Sequence, residues 1–334
     1  MRAWLLPEGS DSFERLYLEE MADPEPGPGE ILIAPTAWSI NYRDFAVASG
    51  HYFGGAITEP SIPLSDGAGK VVAIGEGVKS VRIGDEVQST FFQGWYDGPP
   101  KFVPALGDGK APGMLAEKVV LSEHGVVPIA RSLDLAQAAC LPCAGVTAWN
   151  ALFEGGRPLK AGDKVLVLGT GGVSMIALKL AKAAGAVVIA TSSSDAKLEQ
   201  VKALGADHTI NYKDIPEWGA HVRDTFGGAD KIVEVGGTGT LGQSMTACAP
   251  LAEIALIGVL SQGEPPNPHA LMMTGASLRG IFVGSARMAS DLNAFVDTHR
   301  LTFPVGETFA FDDADKAYAH AWGPDSFGKT VITL

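Results

Sequence analysis

Cysteine is scarce in this chain, with only Cys140, Cys143 and Cys248 among 334 residues. Three thiols in a chain of this length do not make a disulfide framework, and they fall short of the four ligands of a structural zinc site. The first two have CxxC spacing, which is better explained by small buried residues beside the start of a helix. We therefore expect neither disulfides nor a structural metal.

Positive charge is also in short supply. The chain has 25 Lys and Arg residues against 38 Asp and Glu residues, a net charge of −13. Such a surface repels phosphate backbones and anionic membranes, so nucleic acid is not an expected partner. No window supplies the roughly 20 apolar residues of a membrane span, and the apolar run before Pro7 is too short for a signal-peptide core. We expect a cytoplasmic protein without membrane contacts.

Glycine is abundant, with 41 residues, and apolar side chains make up 46% of the chain. This composition is typical of a globular α/β enzyme, and the length suggests about two domains. After about Val126, short apolar runs alternate with helical patterns, which predicts parallel strands buried on both faces. The predicted strands of this region span 164–168, 186–191, 208–212, 231–235, 253–260 and 278–284.

A glycine-rich turn lies between the first of these strands and a predicted helix. Its sequence is Gly169-Thr170-Gly171-Gly172-Val173-Ser174. In a dinucleotide-binding turn, the first glycine allows the tight bend, and the second lets the backbone approach a pyrophosphate at the helix N-terminus. Ser174 replaces the third glycine and is still small enough for close packing. The pattern is weak alone, but the strand–turn–helix–strand context favours a dinucleotide site over a purely structural turn.

The end of the second strand bears on the choice of cofactor. NAD enzymes usually place Asp or Glu there, to accept hydrogen bonds from the ribose. Here the sequence is Thr191-Ser192-Ser193-Ser194, with no acid before Asp195. We expect Ser194 to cap the next helix, which leaves Ser192 and Ser193, with Lys197, to bind a 2′-phosphate. This pattern favours NADP(H) over NAD(H), with helix capping by all the serines as the alternative.

Several segments carry a family resemblance. They are SINYRD (39–44), PLSDGAGKVVAIGEGV (63–78), LPCAGVTAWNAL (141–152), VLVLGTGGVS (165–174), ATSSSDAKLEQVKALGADHTINY (190–212) and the closing FGKTVITL. Over nearly its whole length the chain resembles the medium-chain dehydrogenase/reductases, especially their zinc-free quinone oxidoreductase-like branch, often called alcohol dehydrogenases. The resemblance implies a Rossmann doubly wound parallel sheet (126–286) inserted into a GroES-like β-rich catalytic domain (1–125 and 287–334).

The zinc positions of the family are altered here. In the zinc alcohol dehydrogenases, Cys, His and Cys hold the catalytic metal, and the resemblance places Asn41 and Ser65 at the first two. Only Cys143 is retained, and residues 91–116, where a four-cysteine structural zinc lobe would fall, contain no cysteine. One thiolate cannot hold zinc where three protein ligands are expected. We therefore predict that both zinc ions are absent.

The resemblance also assigns cofactor contacts. Ser192, Lys197 and Tyr212 match the positions that hold the 2′-phosphate in NADPH-dependent quinone reductases. The positions that line the nicotinamide pocket or flank its ring in relatives correspond here to Thr147, Gly258, Val259, Phe282 and Val283.

Without zinc, donors from the protein must stabilise the negative charge that develops on the substrate. The resemblance places Asn41 and Tyr42 at the reacting end, so they are the first candidates. Tyr52 is a candidate for proton delivery and His51 a weaker one. The alternative is that Asn41 and Asp44 only hydrogen-bond the local loop.

Aromatic residues are unusually dense in segments expected to be loops. An apolar or aromatic substrate pocket would explain them, and a packed lobe explains them nearly as well. The residues concerned are Tyr52, Phe53, Phe91, Phe92, Trp95 and Tyr96.

These features predict an NADP(H)-dependent oxidoreductase that transfers hydride, without zinc, to a quinone, enone or small carbonyl compound, or from an alcohol. A non-enzymatic NADPH-binding sensor or structural protein remains an alternative, because a fold does not fix a function. A zinc alcohol dehydrogenase is disfavoured by the missing ligands. The apolar strand 278–284 would lie at a sheet edge, where relatives pair, so we also expect a homodimer.

Overall fold

Residues 1–53, 55–101 and 103–334 are described by the computed structural model. The chain divides into two units: unit 1 contains Met1–Val146 and Val283–Leu334, and unit 2 contains Thr147–Phe282. Residues 126–146, which the sequence analysis assigned to the nucleotide-binding domain, therefore lie in unit 1. The physical reason is that the strand at Val126–Pro128 pairs with the strand at Glu86–Ser89, inside the sheet of that unit.

The first stretch of unit 1 is mostly strands interrupted by Pro and Gly. Its elements are β1 (Arg2–Leu5), a 3₁₀ turn (Phe13–Arg15), β2 (Tyr17–Glu20), β3 (Glu30–Ser39), α1 (Tyr42–Ala48), β4 (Asp66–Ile74), β5 (Glu86–Ser89), β6 (Val119–Ser122), β7 (Val126–Pro128), α2 (Leu135–Ala138), a π-helical turn (Leu141–Gly145) and the first residue of α3 (Val146–Phe153).

Unit 2 alternates strands and helices. Its elements after α3 are β8 (Lys164–Leu168), α4 (Gly172–Ala183), β9 (Val187–Ser192), α5 (Asp195–Ala203), β10 (His208–Asn211), α6 (Trp218–Phe226), β11 (Ala229–Glu234), α7 (Thr238–Thr246), β12 (Cys248–Leu256), a 3₁₀ turn (Pro268–Met273) and β13 (Ser277–Gly280).

The second stretch of unit 1 completes its sheet. It contains α8 (Ala286–His299), β14 (Val305–Ala310), a 3₁₀ turn (Phe311–Asp313), α9 (Ala314–Trp322) and β15 (Lys329–Thr333). Strand order in this sheet is β14-β15-β3-β4-β5-β7, and β6 also pairs with β3. The long strand β3 changes register against β4 between Pro35 and Ala37, as expected for a proline inside a strand.

The sheet of unit 2 has the order β10-β9-β8-β11-β12-β13, and all its described pairings are parallel. This confirms the predicted doubly wound parallel sheet. Val165, Leu166 and Val167 of the central strand β8 are all fully buried, as expected for a strand covered on both faces. The sheet brings the carboxyl ends of its strands to one edge, where ligands of this fold class bind.

The bounds of β12 and β13 differ from the predicted ones. β12 begins five residues earlier than predicted, at Cys248, and ends at Leu256. Gly258 and Val259 therefore follow the strand, as Phe282 and Val283 follow β13, which ends at Gly280. Within the described residues, no helix combines the length and apolar character that crossing a bilayer requires.

Candidate functional site

The glycine turn joins β8 to α4, as predicted. Gly169 has φ +69°, a left-handed conformation that favours glycine, and its N–H donates to the carbonyl oxygen of Thr191 on β9 at 2.9 Å. A Cβ placed on Gly169 or Gly171 would meet no atom within 4 Å, so the turn borders open space. Since α4 begins at Gly172, its first N–H groups also lie at this turn. These features fit a pyrophosphate at the helix N-terminus.

Ser174 is accommodated at the third position of the turn. Its side chain is buried, and its Oγ donates to the carbonyl oxygen of Leu168 at 2.6 Å. The hydroxyl thus satisfies the last carbonyl of β8 while remaining small enough for the helix to pack on the strand. Thr170 is also buried, whereas Gly172 and Val173 are half-buried in the first turn of α4.

The end of β9 lies between the glycine turn and β10. The N–H of Tyr212 donates to the carbonyl oxygen of Ser192 at 3.0 Å, so Tyr212 and Ser192 are neighbours. Tyr212 is exposed and Ser193 half-buried. Ser194 caps α5, as predicted, by accepting from the N–H of Lys197. Ser192, predicted to bind the 2′-phosphate, is a buried residue, and its Oγ accepts from the N–H of Ser194 at 3.3 Å.

The first acid after β9 is held by a partner on β10. Asp195 opens α5, and its carboxylate accepts from Nδ2 of Asn211 at 2.8 Å. Lys197 lies on the same first helical turn and is half-buried. This edge of the sheet therefore carries Lys197, several hydroxyl groups and one acid, Asp195, that is hydrogen-bonded to the Asn211 amide.

The other predicted cofactor residues lie in unit 2 and at its end. Gly258 follows β12, and a Cβ there would overlap the carbonyl oxygen of Val235 at 1.5 Å, so only glycine fits. Val259 is largely exposed, and Phe282 is partly exposed. Thr147 is buried in the first turn of α3. Val283, the first residue of the second stretch of unit 1, has φ +52°.

Sequence analysis missed Glu234, at the end of β11. Its buried Oε1 accepts from the N–H groups of Gly236 and Gly237, at 2.8 and 3.0 Å, and from Thr240 Oγ1 at 2.6 Å. Its Oε2 accepts from Ser244 Oγ. The carboxylate thus fixes the turn from β11 to α7 at the edge where Gly258 lies. The glycine pair directly after this strand was the available signal.

In unit 1, Asn41 precedes α1 and meets a residue that sequence analysis did not single out. Its Oδ1 accepts from the ammonium group of Lys329, at the start of β15. Its N–H donates to Asp44 Oδ2 at 2.7 Å, which is the local loop contact considered as the alternative. The amide nitrogen Nδ2 is enclosed. The amide therefore offers no donor at the protein surface, which weighs against direct substrate contact by Asn41.

A buried carboxylate completes this group. Asp66, at the start of β4, is fully buried and lies with Oδ2 4.0 Å from the ammonium of Lys329. It accepts from Ser65 Oγ at 2.7 Å and from the N–H of Cys143 at 3.2 Å. Burial raises the pKa of Asp66, and the positive charge of Lys329 and the hydrogen bonds from Ser65 and Cys143 oppose that rise.

The donor set at this group does not suit zinc. The residues at the ligand positions of zinc relatives are Asn41, Ser65 and Cys143, and Lys329 adds a positive charge beside them. Burial raises the pKa of the Cys143 thiol well above its usual range, which favours the protonated thiol over the thiolate that zinc needs. Within the described ranges, no three His, Cys, Asp or Glu side chains are grouped to hold a metal ion.

A second buried ion pair lies within α1, between Arg43 and Asp44. Arg43 is stacked between the rings of Tyr52 and Phe91, with its guanidinium carbon 4.8 and 5.1 Å from their centroids. Its Nη1 donates to Asp44 Oδ1 at 3.2 Å and to the carbonyl of Leu106 at 2.8 Å. Burial raises the pKa of Asp44 to about 6 against the opposing charge of Arg43. Burial likewise raises the pKa of Tyr52, and the positive charge of Arg43 opposes that rise.

Three of the six aromatic residues singled out in the sequence belong to a packed lobe, whereas Phe53 and Tyr96 are exposed. Phe91, Phe92 and Trp95 are buried, and their rings lie edge-on or tilted against one another. The exposed aromatic pair next to Asn41 is different: Tyr42 stacks on Trp322 with 6.1 Å between ring centroids, and both remain about half exposed. His51 is exposed, with a ring nitrogen 3.2 Å from Ser49 Oγ.

Family models match both parts of the chain. Residues 27–131 match the alcohol dehydrogenase GroES-like domain, and residues 172–298 match the zinc-binding dehydrogenase domain. A zinc-type alcohol dehydrogenase-like protein of Schizosaccharomyces pombe is 41% identical over 334 residues, covering 96% of both chains. A chloroplastic NADPH-dependent alkenal/one oxidoreductase of Arabidopsis thaliana is 34% identical over 243 residues, covering 70% of this chain and 60% of the relative.

Solved structures agree with the family models. A crystal structure of a protein from Sinorhizobium meliloti 1021 matches with a TM-score of 0.90 at 41% identity, covering 100% of both chains. The structure of an NAD-dependent alcohol dehydrogenase matches with a TM-score of 0.87 at 30% identity, again over 100% of both chains. The chain therefore belongs to the medium-chain dehydrogenase/reductase family of oxidoreductases.

Proposed function

We propose that this oxidoreductase uses NADP(H) to reduce a polarised C=C or C=O bond of a small apolar molecule, and that it works without zinc. The observation that carries the proposal is the composition of the carboxyl edge of β9. Ser192 and Tyr212 are hydrogen-bonded neighbours there, and the nearest acid, Asp195, is engaged by Asn211. An adenosine 2′-phosphate would find hydroxyl and ammonium donors at this edge.

The names of relatives do not choose between the two dinucleotides. The Arabidopsis relative is named as NADPH-dependent, and one solved neighbour is named as NAD-dependent. The choice between NADP(H) and NAD(H) therefore rests on the residues at the end of β9. A phosphate gains from charge-assisted hydrogen bonds, and Lys197 on the first turn of α5 is the positive charge nearest in sequence to Ser192. A free carboxylate at Ser192, the feature typical of NAD sites, is missing.

The zinc-free part of the proposal rests on the group around Lys329. An ammonium that already contacts Asn41 and faces Asp66 would repel a divalent cation at the same place. Burial favours the protonated form of the Cys143 thiol, which is a poor zinc ligand. Proton donors must then replace a Lewis acid in stabilising the reduced product.

The bound cofactor would supply hydride, and the protein supplies position and charge. Tyr42 is the accessible donor next to Asn41, and Tyr52 is a second hydroxyl, with its ring against the Arg43 guanidinium. Either hydroxyl can protonate an enolate or alkoxide once hydride has been delivered. The exposed rings of Tyr42 and Trp322 offer an apolar face for an unsaturated or aromatic substrate.

A screen of cofactor oxidation tests the proposal. Purified protein is mixed with NADPH or NADH and a panel of quinones, enones, ketones and aldehydes, and absorbance at the nicotinamide band is followed. We expect turnover of at least one enone or quinone with NADPH. NADPH binding by calorimetry with no turnover across the panel would instead favour a sensor or structural role, and preference for NADH would contradict the cofactor assignment.

A further inference from the structure

Lys329 is a lysine enclosed within unit 1, where a charge is costly unless it is paired. The side chain is 4% exposed, and its ammonium donates to the carbonyl oxygen of Ile40 at 2.7 Å and to Oδ1 of Asn41. The ammonium also faces Asp66, with 4.0 Å between Nζ of Lys329 and Oδ2 of Asp66. One ammonium therefore joins the start of β15, the residues before α1 and the start of β4. A buried charge with this many partners holds these three segments in one arrangement.

The contact fixes which way the Asn41 amide points. An ammonium can only donate, so it must meet the oxygen of the amide. The nitrogen Nδ2 is thereby turned away from the ammonium, and it is enclosed without a hydrogen-bond partner among the described residues. Replacing the ammonium by an apolar group would remove the reason for this orientation, and the amide could then rotate.

The same ammonium sets the path of the chain into α1. Ile40 and Asn41 are the two residues before the helix, and both offer an oxygen to Lys329. Tyr42, the exposed candidate donor, is the first residue of that helix. Movement of Ile40 and Asn41 would therefore displace Tyr42 directly.

We infer that Lys329 is a positioning residue for the reaction: it holds Asn41 and the start of α1, and through them Tyr42, in the geometry that the substrate meets. The inference rests on the proposed function, because it assigns the reacting end to this part of unit 1. Lys329 itself is too enclosed to touch the substrate.

Kinetics of Lys329→Met, Asn41→Ala and the double variant test the inference. Met keeps the length of the side chain and removes the charge. We expect kcat to fall on the order of 100-fold, as for a small misplacement of reacting groups, with KM for NADPH within about twofold of wild type. Because Lys329 and Asn41 act on the same segment before α1, the loss in the double variant should be smaller than the product of the two single losses. Losses that multiply would overturn the inference.

Stability is separated from positioning by Asp66→Asn. Lys329→Met leaves Asp66 as an unpaired buried charge and should lower the melting temperature. Adding Asp66→Asn removes that charge, so the melting temperature should recover while kcat stays low. Recovery of kcat as well would mean that Lys329 only neutralises Asp66, and the inference would fail.

A readout that needs no turnover keeps this test independent of the proposed function. The side-chain amide resonances of Asn41 are assigned by their disappearance in Asn41→Ala, in ¹⁵N-labelled full-length protein. Lys329→Met should shift them, and Lys329→Arg should shift them less. Unchanged resonances would overturn the inference even if no substrate is found, whereas wild-type inactivity across the panel would count against the proposed function alone.

Discussion

The N–H of Tyr212 donates to the carbonyl oxygen of Ser192 at 3.0 Å. This backbone bond places Tyr212, whose side chain is exposed, beside the end of β9, two strands away from β11, where Glu234 holds its turn. The adenosine end of a dinucleotide would meet Ser192 and Tyr212 together.

Lys197→Ala should weaken NADPH binding by about 1.5–3 kcal/mol, the cost of losing a hydrogen bond to a charged group, and NADH binding much less. The measurement is kcat/KM and calorimetric affinity for both cofactors. Lys202→Ala is the matched control, because Lys202 lies on the last turn of the same helix and pairs with Glu199. Equal losses for NADPH and NADH would contradict the phosphate site.

Ser192→Asp should reverse the preference towards NADH. The new carboxylate repels a 2′-phosphate and can accept hydrogen bonds from the free ribose hydroxyls. Since Ser192 is buried, melting curves must establish that the variant is folded before cofactor ratios are compared. If the ratio of kcat/KM for NADPH to kcat/KM for NADH stays at its wild-type value, Ser192 does not contact the cofactor.

Zinc should be dispensable. Elemental analysis of protein purified without added metal should find far less than one zinc per chain, and activity should survive treatment with a chelator. The reason is the donor set around Asn41, Ser65 and Cys143, beside the ammonium of Lys329. About one zinc per chain, together with activity that a chelator abolishes, would contradict this prediction.

Asn41→Ala should lower turnover more than NADPH affinity. Its amide lies between Lys329 and Asp66 in unit 1, whereas the dinucleotide turn belongs to unit 2. The measurement compares the loss in kcat with the loss in affinity for NADPH. A folded variant with wild-type kcat would return Asn41 to a purely local role in the loop.

Trp322→Ala should weaken the use of aromatic substrates selectively. The exposed pair formed with Tyr42 offers a stacking face worth about 0.5–1.5 kcal/mol, or about 2- to 12-fold in kcat/KM. An aromatic and an aliphatic enone of similar reactivity are compared. Tyr96→Ala is the control, since Tyr96 is also exposed but its ring lies against His124. The same loss for both enones would contradict the prediction.

The chain should form a homodimer through β13. In the described part of the sheet this strand pairs only with β12, and none of its four residues is buried. Open strand edges with apolar side chains favour pairing with another strand. Leu278→Asp should therefore yield monomer by light scattering at micromolar concentration, and Ile83→Asp, at an exposed position in unit 1, should not. A monomeric wild type would refute the prediction.

Much of unit 2 was predictable because its signals are local. A four-residue apolar run bounded by Lys164 and Gly169 is typical of a buried strand, and the next six residues complete the turn. Ser194 as a cap followed from its place before a helical pattern. The bounds of β12 were less accurate, because the apolar run continues past Leu256, where the chain instead passes close to Val235.

The reacting end was predictable only in part because its contacts are remote in sequence. Lys329 and Asn41 are 288 residues apart, and a lysine in a closing strand gives no local sign that it is buried. The aromatic segment was ambiguous for another reason. Composition cannot distinguish rings that pack on one another, such as Phe91 and Phe92, from rings that line a pocket.

The position of β15 has a consequence for biosynthesis. This strand lies between β14 and β3, so the sheet of unit 1 lacks an inner strand until residues 329–333 have left the ribosome. Unit 2 is continuous in sequence and can fold earlier. During that interval Ala37–Ser39 of β3 presents an unpaired edge, which is a site for aggregation. Truncation before Lys329 should therefore produce insoluble chains on expression, with unit 2 folded within them.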